Sequence, residues 1–275
     1  MSKLLLNRVH LTVQEITESF TSKPEIFICG NIFDQKKLSS DVPYALTLLS
    51  QLSKKRLSFL YENNLSVISF ELKSTIDFLN EHTGNPFIDY KYKVLEQIRR
   101  FPNLGIEMPR SGIFIMSKEI VPKSLHVDFF EQTRLLLDYC VFLFPEIRST
   151  SFYRDALLGI NNSEMTIRKL FSSKDYERSI NLLNQLEVNK LFRPSFSEIT
   201  QLLFLYQKFF KKNIYNLGFC WVNSANINKE KMVIVNALKE EFILGESFPD
   251  VSRYKSMGSP IIISLEWLLE ILRVL

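Results

Sequence analysis

Apolar positions along this chain recur mostly at intervals of three and four, the repeat of one face of an α-helix. Leu6, Val9, Val13, Ile16 and Phe20 form one narrow seam between residues 3 and 20. Such a seam suits a helix packed on a single neighbour, within its own domain or across a homodimer. Val9, Leu11 and Val13 also alternate, so a short strand fits the same residues. Pro24 breaks this element, and Glu25 to Phe33 is a compact apolar run compatible with a buried strand or a short helix. A helix is predicted after Pro43, with Tyr44, Leu48, Leu49 and Leu52 on one face, and another from the spacing of Leu65, Ile68, Leu72, Ile76 and Leu79.

His82 to Pro86 (His-Thr-Gly-Asn-Pro) reads as a turn, and residues 88–100 read as a helix whose end carries Arg99 and Arg100. Pro102, Pro109 and Pro122 then exclude a single regular element between 101 and 123, although Ile113 to Met116 fits a short strand. Residues 125–143 are apolar nearly all round, which predicts a central buried helix stopped by Pro145. Shorter helices follow near 150–158, 163–171 and 173–187. Ser195-Phe-Ser-Glu198 has the form of a capping box, in which the Ser hydroxyl and the Glu carboxylate satisfy each other's backbone amides. Ile199, Leu202, Leu203, Tyr206, Phe209 and Phe210 continue that helix.

The aromatic stretch 214–223, interrupted by Gly218, leans towards strand or irregular structure. A helix from about Asn228 to Phe242 is predicted next, then a polar loop from Gly245 to Gly258. Ser259 and Pro260 suit the cap and first position of a terminal helix over Ile261 to Leu275. The sum is a mainly α-helical chain with a few short strands. It is either one domain over 1–275 or two lobes, 1–100 and 125–275, joined by an irregular, Pro-containing connection at 101–124.

Composition adjusts this picture only in part. Hydrophobic residues make up 46% and charged residues 23%, ordinary for a globular chain and far from a disordered one. Phe is abundant, with 23 copies, which implies a core of bulky rings. No apolar run reaches the roughly 18 residues that a membrane-spanning helix needs. The start Met-Ser-Lys-Leu-Leu-Leu lacks the long apolar stretch of a secretory signal. Cys29, Cys140 and Cys220 lie far apart among apolar residues, as buried free thiols do, which places the chain inside the cell, in cytoplasm or nucleus.

Little of the chain points to catalysis. The 8 Gly, 3 His and 3 Cys form no phosphate loop, no zinc-type ligand pair and no local nucleophile–base set. No catalytic residue, metal or cofactor is therefore assigned. With a net charge of +4, the basic groups Lys54, Lys55, Arg56 and Lys208, Lys211, Lys212 are candidates for a phosphate-binding patch, the latter interleaved with Phe209 and Phe210.

The expected function is that of a non-catalytic interaction subunit or adaptor of an intracellular complex, contacting other protein subunits through the N-terminal seam and through Trp267, Leu268 and Leu272 of the terminal helix. The seam also allows a homodimer. A nucleic-acid-binding component and an enzyme with dispersed catalytic residues are the alternatives.

Overall fold

A computed structural model of the chain describes residues 27–29, 48, 51–52, 54–81, 94–210, 219–225, 229–238, 241–251 and 257–273. The N-terminal seam from Leu6 to Phe20, the turn at 82–86 and residues 211–218 lie outside the described residues, as does most of the helix expected around Tyr44. In chain order the elements are β1 (Phe27–Cys29), α1 (Lys54–Glu62), β2 (Leu65–Ser69), α2 (Thr75–Glu81), α3 (Pro102–Gly105) and β3 (Ile113–Ser117). Then come α4 (Phe129–Leu143), a 3-10 turn (Pro145–Ser149), α5 (Ser151–Ser173), α6 (Tyr176–Gln185), α7 (Glu187–Phe192) and α8 (Phe196–Phe210). The remainder is β4 (Phe219–Ala225), β5 (Met232–Leu238), β6 (Glu241–Ser247), β7 (Met257–Gly258), β8 (Ile262–Ser264) and α9 (Leu265–Arg273).

The strands assemble into two four-stranded sheets, ordered β1-β2-β3-β8 and β6-β5-β4-β7. The fold is thus mixed α/β, and the mainly helical expectation is corrected. Three segments read as helix from their spacing contain strands. The stripe from Leu65 to Leu79 divides into β2 and α2 on either side of residues 70–74, and Asn64, with a positive φ of 56°, turns the chain from α1 into β2. Leu72, counted as a core position of that stripe, is 56% exposed.

The predicted helix at 228–242 is instead an antiparallel pair, with Met232 opposite Ser247 and Leu238 opposite Glu241. Its run Val233-Ile234-Val235 is β-branched throughout, which disfavours helix and suits a pleated surface. Ile261-Ile262-Ile263 does the same near the C-terminus, so β8 precedes α9 and the helix cap moves from Ser259 to Ser264, whose Oγ accepts the Trp267 amide at 3.2 Å. Conversely, the shorter helices expected between 150 and 171 are one continuous helix, α5, of 23 residues.

Alternation along the strands explains how the sheets are covered. In the first sheet Leu65, Val67, Ile113, Ile115 and Ile263 join one apolar cluster, while Ile68, Phe114, Met116 and Ile262 join another. The second sheet divides the same way, with Trp221, Met232 and Ile234 in the first cluster and Cys220, Val222, Val233 and Val235 in the second. Successive strand residues point to opposite faces, so strands buried on both faces must be apolar nearly throughout. That near-continuous apolarity is what blurs a period of two into a period of three to four. Helix α4 fills the first cluster with Phe129, Phe130, Leu136 and Leu137, and α8 fills the second with Phe196, Ile199, Leu202 and Leu203. Each such buried side chain contributes roughly 1.5–3 kcal/mol.

Candidate functional site

Three helices meet around Trp267. Pro145 opens the 3-10 turn after α4, and Thr150 then caps α5, its Oγ1 accepting the Tyr153 amide at 3.2 Å and donating to the Ile147 carbonyl at 2.6 Å. This fixes Phe152 in the first turn of α5. Phe152 meets Trp267 edge to face at 4.9 Å between ring centroids, Phe192 of α7 meets Trp267 at 5.3 Å, and Phe152 meets Phe192 at 5.7 Å. Helix α9 buries Leu265, Leu268 and Leu269. Trp267, Glu270 and Ile271, spaced three and four apart, form its other stripe.

That stripe lines an open groove of about 660 Å³ between α9, the start of α5 and the start of α7. Phe152, Ala156, Trp267 and Ile271 give it an apolar floor. Its charged lining is Arg154 against Asp155, Glu187 and Glu270, one cation against three carboxylates, a balance of −2. Glu187 already meets Lys190 at 3.1 Å. Asp155 and Glu270 are exposed and form no ion pair among the described residues.

Two buried polar networks lie outside the groove. The Arg193 guanidinium, 1% exposed, donates to Asn189 Oδ1, Gln132 Oε1, Ser259 Oγ and the Phe129 carbonyl, and lies 3.7 Å from the Phe129 ring centroid. None of these partners is a carboxylate, and desolvation holds the guanidinium pKa well below its ordinary value. Glu198 of the capping box is fully buried and is clasped by Arg110, with Nε at 2.7 Å and Nη2 at 2.8 Å. The same α8 N-terminus holds Glu107, which accepts from Ser224 Oγ at 2.9 Å and from the Ser197 amide at 3.4 Å.

Glu107 is half-buried as a residue, but its carboxylate is enclosed, and desolvation raises its pKa above the ordinary 4.5 despite the Ser224, Ser195 and Ser197 hydrogen bonds. The sign of the linkage follows. The fold binds this proton more tightly than the unfolded chain does, so stability is favoured below 4.5 and falls as pH rises through the raised folded value. Glu107→Gln, neutral at every pH, is therefore expected to gain stability relative to the native chain between pH 4 and pH 8. Urea denaturation at several pH values checks this, and parallel profiles for the two proteins would refute it.

The described residues offer no ready ligand set for a metal ion. They contain no group of three or more His, Cys, Asp and Glu arranged to hold a metal ion. Cys140 and Cys220 are buried and free, and burial pushes both thiols up, away from reactivity. His126 is exposed, with a positive φ of 69°. No helix among the described residues is long and apolar enough to cross a membrane.

Of the residues singled out from sequence, Trp267 lies on the groove, Leu268 is buried in the core, and Leu272 is half-buried against it. Leu6, Val9, Val13, Ile16 and Phe20 lie outside the described residues, as do Lys211, Lys212 and the side chains of Lys54 and Lys208. Lys55 is exposed. Arg56 is turned inward: it donates to the Leu143 carbonyl at 2.6 Å, pairs with Glu146 and covers the Phe144 ring at 5.3 Å. Sequence reasoning missed Phe152, Arg154, Asp155 and Glu187, which reach the groove from segments about 80 to 115 residues before Trp267 and carry no local motif. No protein-family model, no curated protein and no solved structure matches this chain.

Proposed function

We propose that this chain is a non-catalytic interaction subunit of an intracellular complex and that it seats a segment of a partner protein in the groove beside Trp267. The observation that carries this reading is the half-buried tryptophan on an apolar floor, backed edge to face by Phe152 and Phe192. A large ring held rigid by its neighbours loses little entropy on binding, and such rings dominate the energetics of protein interfaces. The nucleic-acid reading has weaker support, since Arg56 spends its guanidinium on internal acceptors.

The test is site-directed photo-crosslinking in the native source, with a benzophenone side chain placed at Ile271 and, as a control, at Met165, an 82% exposed position on α5. The expected result is a discrete protein adduct from Ile271, absent from Met165 and lost when Trp267→Ala is added. Equal labelling from both positions, or an Ile271 adduct indifferent to Trp267→Ala, refutes the groove as the interface.

A further inference from the structure

We propose that the segment seated in the groove is a cationic amphipathic peptide, presenting an apolar side chain to Trp267 and Lys or Arg side chains to Asp155 and Glu270. The proposal rests on the interaction reading above and narrows it to one partner chemistry.

Charge complementarity carries it. The groove lining holds Arg154 against Asp155, Glu187 and Glu270, while the whole chain carries +4. The groove is therefore an acidic site on a basic protein, opposite to the chain's average. Glu187 shares its charge with Lys190, but Asp155 and Glu270 have no cationic partner among the described residues. Glu270 also stands in the last turns of α9, where the carbonyl end of the helix dipole adds negative potential and a cation is favoured. Its stripe neighbours Trp267 and Ile271 place apolar surface one helical turn or less away. A helical or extended segment with an apolar residue flanked by Lys or Arg matches this arrangement, and its flanking charges would also set its orientation.

The first turn of α5 supplies the opposing term. Arg154 and the exposed Ser149 and Ser151 could attract an acidic side chain instead. The Thr150 hydroxyl already occupies the Tyr153 amide of that turn, and with Glu187 paired to Lys190 the single exposed guanidinium of Arg154 still faces two carboxylates, Asp155 and Glu270, so the balance favours a cation.

The experiment uses the full chain and three fluorescein-labelled amphipathic peptides of equal length, built from Leu with Lys, Leu with Gln, and Leu with Glu. Affinities are read by fluorescence anisotropy at about 0.15 M salt, where exposed charges beyond roughly 8 Å are screened. Because the chain is net positive, non-specific attraction would favour the Glu peptide, so a Lys preference reports the groove.

The expected result is that the Lys peptide binds about tenfold more tightly than the Gln peptide, the gain of two partly exposed ion pairs. Asp155→Asn combined with Glu270→Gln should erase that advantage and leave the Gln peptide unchanged, and Trp267→Ala should weaken both. Equal binding of the Lys and Gln peptides, or a preference for the Glu peptide, overturns the cationic proposal. So does failure of all three peptides to bind. In each of these cases the Ile271 crosslink separately decides whether the groove is an interface at all.

Discussion

Replacing Arg193 by Ala is expected to destabilise the fold by about 4 kcal/mol, more than a typical core truncation of a polar residue. The guanidinium donates at once to Asn189 Oδ1 on α7, Gln132 Oε1 on α4, Ser259 Oγ before β8 and the Phe129 carbonyl in the first turn of α4, two of which, Asn189 Oδ1 and the Phe129 carbonyl, also share the Thr133 hydroxyl. Gln132 and Asn189 also donate, through their amide nitrogens, to the Ser124 and Met257 carbonyls and to the Leu183 carbonyl. Their orientation is thereby fixed, and the oxygens left behind by Arg193→Ala cannot turn towards water. Gln132 Oε1 loses its donor outright, and Asn189 Oδ1 and the Phe129 carbonyl are left to share the Thr133 hydroxyl; a buried acceptor so orphaned costs about 1–3 kcal/mol unless a water replaces the lost donor.

Arg193→Met separates volume from hydrogen bonding, since it fills the space and still abandons the acceptors. It should recover no more than about 1–2 kcal/mol of the loss. Arg193→Lys keeps a charge but offers three donors from one point, too few and too compact for acceptors spread over α4, α7 and the approach to β8. Urea midpoints at unchanged slope measure all three. Stability of Arg193→Met within about 0.5 kcal/mol of the native chain would show that the network does not hold these elements together.

Nothing in the sequence around Arg193 announces that role. In the run Lys190-Leu-Phe-Arg193-Pro194 it looks like one more surface cation at a helix end. Its partners come from residues 129–132, 189 and 259, and only the three-dimensional fold brings them to one point. The groove shares this property: Trp267 was legible as a large aromatic in an apolar helix, whereas Asp155 and Glu187 were ordinary helix-surface acids.

Local chemistry was read well where it is self-contained. The central helix, expected over 125–143 and found over Phe129–Leu143, its stop before Pro145 and the Ser195–Glu198 capping box are set by residues within four positions of each other. Strands were misread where both faces are buried, because β5 and the run Ile261-Ile262-Ile263 into β8 are apolar at nearly every position and because Leu65 and Ile68 of β2 happen to fall three apart, so that each satisfies the helical spacing by default. The better discriminator was β-branching, concentrated in Val233-Ile234-Val235 and Ile261-Ile262-Ile263.

The capping box itself leads to the second large effect. Glu198→Ala is expected to cost about 3–5 kcal/mol, well beyond the loss of an ordinary helix cap at about 1 kcal/mol. The carboxylate does more than return to the Ser195 amide at 2.8 Å. It also accepts from the Arg110 amide at 3.0 Å and from two guanidinium nitrogens. Arg110 in turn donates to the carbonyls of Lys190, Leu191 and Arg193, closing the C-terminal end of α7. One ion pair therefore joins the end of α7, the start of α8 and the chain leading into β3.

Arg110→Ala should cost less, about 2–3 kcal/mol, for two reasons. The Arg110 side chain is one-third exposed, so its carbonyl partners can reach water, and Glu198 keeps two backbone donors when the guanidinium is gone. In a double-mutant cycle the two changes should be non-additive by about 1–3 kcal/mol, because either one alone already breaks the shared contact. Additivity within about 0.5 kcal/mol would mean that the capping box, and not the Arg110 clasp, accounts for the burial of Glu198. A full coupling would place the stability of the α7–α8 junction, and with it the position of Phe192 behind Trp267, under the control of a residue about 80 positions earlier, on the segment that leads into β3.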